Sequence, residues 1–312
     1  MNPKVTQGIC NKDEAAGPSL APLIPRFSRI VIIQSLSAGE SPTGRQLRDA
    51  IEPTAQFNHG ISVEFVDTRT VNDFWAALEW VQETTEKTMD YPVLHLECHG
   101  LSDRSGLSLG DATPLPWAEV KTALVRLNQA TQCNLFVSLA ACHGAMLVET
   151  LDVNARAPCW GLMGPSGEVS PPDLVGSYSA FFLELLRSED TVTALCALRD
   201  SPERRARYFL FTAEDMFRMV LQVYRVTCST NTQMAERAER FAQTFRRHGM
   251  SGIEASSIGS HLYEAEHGDL ERIFTRFFFV DHFQENKLRF TDAYSALAPD
   301  EFNSAVNKGA TR

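Results

Sequence analysis

"NLFVSLAACHG", residues 134–144, runs from an apolar block of strand length into a cysteine, a histidine and a glycine. The stretch "VLHLECHG", residues 93–100, has the same form and ends in the same Cys-His-Gly tripeptide. Ligands of open parallel α/β sheets bind beyond the carboxyl ends of the strands. Because the two stretches are consecutive strand candidates and can be neighbours in a sheet, we expect both tripeptides to lie at one site.

The rest of the chain alternates between strand-like and helix-like segments. Apolar runs of buried-strand character occur at 29–36, 61–67, 93–97, 134–140, 157–164 and 206–212. Segments with the apolar spacing of helices separate most of these runs, at 43–56, 71–87, 117–127 and 173–188. Near-continuous apolar strands joined by helices are typical of a parallel sheet that is covered on both faces. The pattern predicts an α/β fold with a mostly parallel, six-stranded sheet and helices on both faces.

The chain divides into three regions by its pattern. Residues 1–28 are interrupted by several prolines and predict a flexible N-terminal arm. Residues 29–212 hold the alternating core. Residues 213–312 change to long helical patterns and predict a mainly helical C-terminal region packed on the core. Within it, the segment 272–283 fits either a core helix or a late strand.

Composition limits the compartment and the partners. A net charge of −10 argues against nucleic acid or an anionic membrane as the main partner, because these bind clustered Lys and Arg. No window offers roughly 18 uninterrupted apolar residues, so no membrane-spanning helix is expected. The seven cysteines are odd in number and form no C-x-x-C pair, which favours reduced thiols in a cytoplasm. The sequence therefore predicts a cytoplasmic protein.

The two tripeptides offer different nucleophiles. Cys142 precedes "HGAMLVETL", which has the form of a helix start. A helix N-terminus lowers the pKa of a thiol and offers N–H groups to a developing oxyanion. Cys98 precedes a turn and a hairpin pattern instead. We therefore expect Cys142 to be the reactive thiol and Cys98 to be structural.

The base is expected from the other tripeptide. His143 follows Cys142 directly, and consecutive side chains at a strand end point to opposite faces. His99, at the neighbouring strand end, is free of this constraint. Gly100 has no Cβ, so its backbone N–H can come close to a reacting carbonyl. The pattern indicates a Cys142–His99 pair, while the alternative for each residue alone is ordinary packing or a satisfied polar group.

The two motifs together resemble the His-Gly and Ala-Cys motifs of caspase-like cysteine peptidases, the clan that includes caspases, metacaspases, separases, gingipains and CHAT-domain proteases. The resemblance covers roughly residues 29–212 and is closest to the CHAT type. "SGLSLGDATPLPWAEV" at 105–120 is similar to the hairpin and Trp-led helix that follow the catalytic histidine there. The resemblance implies a caspase-like three-layer sandwich with His99 and Cys142 as the catalytic dyad.

The same resemblance implies the chemistry. The backbone N–H groups of Gly100 and Cys142 would form the oxyanion hole. Amide hydrolysis would pass through a thioester acyl-enzyme, with His99 protonating the leaving amine and then assisting water. This chemistry needs neither a metal nor an organic cofactor.

The substrate pocket departs from the better-known members. In Asp-specific caspases a polar residue two positions before the cysteine lines the pocket, and Arg- and Lys-specific relatives carry Asp there, whereas this chain has Ala140. Strict cleavage after Asp or Arg is therefore not predicted. The other pocket candidates are charged loop residues, each with a solvated surface role as its alternative. They are Arg45, Asp103, Asp111, Glu168 and Asp173.

Two classes of function remain open. The first is an intracellular cysteine endopeptidase that cleaves a specific protein, such as a co-encoded effector in a bacterial defence or cell-death pathway. The second is a catalytically silent adaptor whose C-terminal helices bind a regulatory partner. Both dyad residues are present, which favours the enzyme. The histidines of the C-terminal region lack H-E-x-x-H spacing or a cysteine cluster, so no metal site is expected there.

Overall fold

The computed structural model describes residues 27–59, 61–202, 204–228, 236, 239–240, 242–244, 246, 268–295 and 297. Nearly all of the expected arm at 1–28 lies outside these residues, as do most positions between 229 and 267. The described part of the chain forms an α/β fold in which a mixed, mostly parallel sheet is flanked by helices.

The sheet has eight strands, two more than expected, because a short hairpin extends its third strand. In chain order the strands are β1 (Arg29–Ser35), β2 (Ser62–Asp67), β3 (Pro92–Gly100), β4 (Gly106–Ser108), β5 (Pro114–Pro116), β6 (Phe136–Ala140), β7 (Gly161–Pro165) and β8 (Tyr208–Thr212). Six of them form the path β2-β1-β3-β6-β7-β8, and β4 and β5 make an antiparallel hairpin on the end of β3. The expected neighbours β3 and β6 pair in parallel.

Six principal helices pack around this sheet. They are α1 (Thr43–His59), α2 (Val71–Thr88), α3 (Trp117–Ala130), α4 (Pro171–Ser188), α5 (Thr191–Asp200) and α6 (Ala213–Cys228). Helices α1 and α5 both contact α4, and α2 packs against α3, so the helices form two groups. Helix α5 was not foreseen from the sequence.

The additional helix explains why β8 is antiparallel to β7. Helix α4 leaves the carboxyl edge of the sheet, and α5 brings the chain back to that edge. Strand β8 must then run in the opposite direction. Asp173, in the first turn of α4, fixes this return because its carboxylate accepts hydrogen bonds from the backbone N–H groups of Arg205 and Ala206 at 2.9 and 2.7 Å. Asp173 is buried and holds the chain together rather than facing a ligand.

Capping residues define where α2 and α4 begin. Thr70 and Asp73 form a capping box at α2, in which each side chain accepts the backbone N–H of the other. Ser170 caps α4, and Pro171 follows at the first helical position, where a missing N–H costs nothing. The α4 cap ends the loop after β7, which reaches the carboxyl edge of β6.

The described residues from 268 onward pack against α6 through aromatic rings and contact the core through Arg156. Residues 268–277 are helical and are followed by turns, so the segment 272–283 contains a helix end and not a strand. The ring of Phe217 in α6 lies 5.7 Å from that of Phe274 and 5.0 Å from that of Phe278. Arg156, in the loop before β7, binds the carboxylate of Asp281. Two short helices, Asn286–Arg289 and Thr291–Ser295, complete the described part of this region.

The thiols agree only in part with the expectation of reduced cysteines. Cys98, Cys133, Cys142 and Cys159 are free. Cys196 is disulfide-bonded, so the expectation is wrong at this position. Among the helices that the structure describes, none combines the length and the apolar character that crossing a bilayer requires.

Candidate active site

The two tripeptides meet at the carboxyl edge of the sheet. Strands β3 and β6 are in register up to Glu97 and Ala140, so each chain leaves this pairing just before its tripeptide. Gly100 lies against the main chain of Cys142: a Cβ added to Gly100 would come 1.9 Å from the carbonyl oxygen of Cys142. Only glycine fits at this approach. The close contact joins the two segments into one site.

Cys142 is held by the loop that follows β7. Its Sγ lies 3.5 Å from the backbone nitrogen of Val169 and 3.9 Å from the carbonyl oxygen of the same residue. The thiol is partly exposed. The main chain of Val169 therefore fixes the position of the sulfur.

His99 is exposed, and its ring is bound on one side by a carboxylate. Its Nε2 lies 3.1 and 2.9 Å from the two carboxylate oxygens of Glu40, in the loop after β1. The hydrogen bond from His99 is the main cause that holds the pKa of Glu40 below its usual value. The backbone N–H of Ser37 also binds this carboxylate, at 2.8 Å. Glu40 is therefore ionised at neutral pH and oriented toward the imidazole.

His99 and Cys142 line the same cavity but share no hydrogen bond in the described part of the chain. The cavity is open to solvent and has a volume of about 590 Å³. Glu40 occupies Nε2 of His99. Catalytic hydrogen bonds are often long in the absence of substrate and tighten when it binds.

The other cysteine and the other histidine of the tripeptides are held inside the protein. Cys98 is buried, and burial raises the pKa of its thiol well above the usual range. His143 is also buried, and it takes a left-handed backbone conformation with a φ of 59°. The ring Nδ1 of His143 lies 3.1 Å from the carbonyl oxygen of Ser166. The backbone N–H of His143 donates to the carbonyl oxygen of Gly167. His143 therefore anchors the loop that touches Cys142.

The helix expected behind Cys142 is not an α-helix. A 3₁₀-helix runs from Gly144 to Thr150, and His143 separates it from the cysteine. The left-handed turn at His143 redirects the chain before helical hydrogen bonding begins. The environment of the sulfur is therefore set by Val169, rather than by a helix dipole.

A buried chain of hydrogen bonds runs beneath the cavity. Thr43, at the start of α1, donates to Glu97 at 2.6 Å. The other oxygen of Glu97 lies 2.9 Å from Nε2 of His95, whose Nδ1 lies 2.7 Å from the hydroxyl of Ser138. All four side chains are buried, and every nitrogen and carboxylate oxygen among them has a partner. The chain ties α1, β3 and β6 together directly under the two tripeptides.

None of the pocket residues expected from the sequence is among the described residues that line this cavity. Ala140 is fully buried at the end of β6. Arg45 stacks over Phe65 and lies 3.9 Å from Asp67, both in the edge strand β2. Three exposed acidic side chains complete the set. Asp103 and Asp111 cap turns of the hairpin region, through Ser105 and Thr113, and Glu168 is exposed beside Val169.

Sequence reasoning missed two contributors to the site. Glu40 could have been found from the sequence, because the loop after β1 starts at the sheet edge where β3 ends. Val169 contributes through its main chain, so its residue type carried no signal. Among the described residues, no group of three or more His, Cys, Asp or Glu side chains is placed to hold a metal ion. No model of a known protein family matches this sequence, and no curated protein matches it either.

Proposed function

We propose that the protein is a cysteine-type endopeptidase of caspase-like fold, with Cys142 as nucleophile and His99 as general acid and base. The observation that carries the proposal is the joint position of the two side chains. They come from the carboxyl ends of adjacent parallel strands and face one open cavity. A thiol and an imidazole in one cleft can supply the nucleophile and the general base that acyl transfer requires.

The proposed reaction begins when His99 takes the proton of Cys142 and the thiolate attacks the substrate carbonyl. The negative oxygen that forms is bound by the backbone N–H groups of Gly100 and Cys142. His99 then gives the proton to the leaving amine, and a thioester remains on Cys142. Water, deprotonated by His99, attacks the thioester and releases the acid product, which restores the thiol.

Glu40 acts in this scheme as a positioning residue for His99. A carboxylate on Nε2 fixes the tautomer and the ring orientation, and it stabilises the imidazolium that forms when the thiol is deprotonated. Its contact supports Nδ1 as the nitrogen that exchanges protons with Cys142. The third group thus comes from the loop after β1, and β1 is the neighbour of β3 on the side opposite β6.

A catalytically silent adaptor is the second candidate, favoured by one observation: His99 hydrogen-bonds Glu40, not Cys142. In this reading the cavity would bind a peptide without cutting it. Partner binding would then depend on the C-terminal helices, and replacement of Cys142 would leave it unchanged.

Terminal-peptide mass spectrometry separates the two candidates. The wild-type protein, Cys142→Ala and the matched control Cys98→Ala are each co-expressed with a host proteome, with the neighbouring genes included as candidate substrates. We expect specific new peptide termini with wild type and Cys98→Ala, and none with Cys142→Ala. Identical termini for all three proteins, or failure of wild type to react with a peptidyl acyloxymethyl ketone at Cys142, would contradict the proposal.

A further inference from the structure

The walls of the cavity around Cys142 are mainly apolar. Besides Cys142, the lining consists of five apolar side chains, two hydroxyl side chains, and the imidazole and carboxylate that contact each other at the rim. They are Leu36, Cys98, Val169, Pro171 and Leu174, then Ser41 and Thr43, then His99 and Glu40. We infer that the cavity selects substrates with an uncharged aliphatic side chain, of leucine or methionine size, on the residue before the cleaved bond. This inference rests on the proposed peptidase function.

An acidic substrate side chain would find no positive partner in this cavity. The described residues that line it include neither Lys nor Arg. Arg45 does not line the cavity and lies beside Asp67 and Phe65 of β2. The carboxylate of Glu40 lies at the rim, and that of Glu97 lies directly behind Thr43. Burial of an unpaired carboxylate is strongly unfavourable, and two nearby carboxylates increase the cost.

A basic side chain would have to compete with the catalytic groups. Glu40 is the one carboxylate in the described lining of the cavity, and both its oxygens lie within hydrogen-bond distance of Nε2 of His99. The backbone N–H of Ser37 uses one of these oxygens as well. A Lys or Arg that paired with Glu40 would weaken its hold on His99. Basic substrates would therefore bind in a less reactive arrangement.

The floor of the cavity gives little polar selection. Thr43 commits its hydroxyl proton to Glu97, so it offers only lone pairs to a substrate. Leu174 and Cys98 are buried beside it and present carbon and sulfur. Ser41 is exposed at the rim, and its hydroxyl accepts a hydrogen bond from the side chain of Gln46 at 3.1 Å. An aliphatic side chain can therefore enter without leaving a buried polar group unpaired.

Matched activity-based probes test the inference. Four peptidyl acyloxymethyl ketones with the same peptide and with Leu, Gly, Asp or Arg next to the reactive group are incubated with the full chain. The rate of Cys142 modification is followed by intact mass. We expect the Leu probe to react about tenfold faster than each of the others, or more, as apolar pockets discriminate at that level. An Asp or Arg probe that equals or exceeds the Leu probe overturns the inference and leaves the peptidase intact. If iodoacetamide modifies Cys142 but no probe does, the peptidase proposal itself fails.

A charge placed at the rim sharpens the test. Ser41→Arg adds a cation to the lining of the cavity, and it should raise the Asp-to-Leu rate ratio about tenfold. Gln56→Arg is the control, because it adds the same charge at an exposed position of α1 that does not line the cavity. The control should leave the ratio within about twofold. An equal gain in both variants would indicate long-range attraction and overturn the assignment of the pocket.

Discussion

The chain contains Cys-His-Gly twice, and the structure uses the two copies in opposite ways. In the first copy the histidine faces the open cavity and the cysteine is buried. In the second copy the cysteine faces the cavity and the histidine is buried. The glycines also differ, since Gly100 touches the other copy and Gly144 begins a 3₁₀-helix. One composition therefore supplies two different halves of a site.

The difference comes from where each strand ends. Strand β3 continues through its tripeptide, so Cys98 stays in the ladder opposite Ser35 and its side chain points into the protein. The next side chain must point out, which exposes His99. Strand β6 ends at Ala140, and the chain turns left-handed at His143. This turn leaves Cys142 at the cavity and moves its histidine inside. Motif and strand register together decide which residue can react.

The largest expected effect separates the two histidines. His99→Ala should lower kcat/KM by about 1,000-fold, because it removes the group that we propose transfers the proton. His143→Asn keeps a residue that tolerates a left-handed φ and should change kcat/KM less than about threefold. It should cost about 1 kcal/mol of unfolding free energy through loss of the Ser166 contact. Steady-state kinetics on a cleaved peptide measure kcat/KM, and denaturant-induced unfolding measures the free energy of unfolding. Equal losses of activity in the two variants would refute the different roles given to His99 and His143.

The second effect separates the two thiols. Iodoacetamide at pH 7.5 should modify Cys142 roughly a hundredfold faster than Cys98, because Cys98 is buried and its raised pKa keeps it protonated. Peptide mapping of a time course measures the two rates in one sample. In denaturant the ratio of the two modification rates should approach one. Rapid modification of Cys98 in the folded protein would show that the two copies are not distinguished in this way. This test does not depend on peptidase activity.

The smallest effect concerns Glu40, whose carboxylate contacts the histidine of the first tripeptide. Glu40→Gln should lower kcat about tenfold with little change in KM, because a positioning group acts on the reacting geometry. A carboxyl whose pKa is lowered by folding adds stability that is complete above its ordinary value of 4.5 and is lost as the pH falls through the lowered pKa. The stability difference between wild type and Glu40→Gln should therefore vanish in acid. A difference that grows as the pH falls from 5 to 3 would contradict the His99–Glu40 contact.

The sequence was most informative where periodicity and topology agree. The six principal strands and the pairing of β3 with β6 followed from apolar runs and the order of the chain. Helix α5 was missed because it is only 10 residues long and follows α4 after a short loop. Because α5 was not predicted, the antiparallel direction of β8 was not predicted either. Short helices between long ones leave a weak periodic signal.

The candidate site could be predicted only where the residue type itself carries a signal. Cys142, His99 and Gly100 follow from residue type at strand ends. The roles of Val169 and His143 depend on a main-chain contact and on a left-handed turn, which the residue types alone do not encode. The pocket candidates Asp103, Asp111 and Glu168 were chosen by charge, whereas the cavity is lined mainly by apolar groups.

The contact between Gly100 and the carbonyl of Cys142 also bears on synthesis of the protein. The two segments that meet there are separated along the chain by the β4–β5 hairpin and α3. The loop that contacts the sulfur, around Val169, follows later still. A nascent chain cannot assemble the nucleophile, its base and its backbone support until all three have left the ribosome and packed. If the protein is a peptidase, its own fold therefore delays activity until the core is complete.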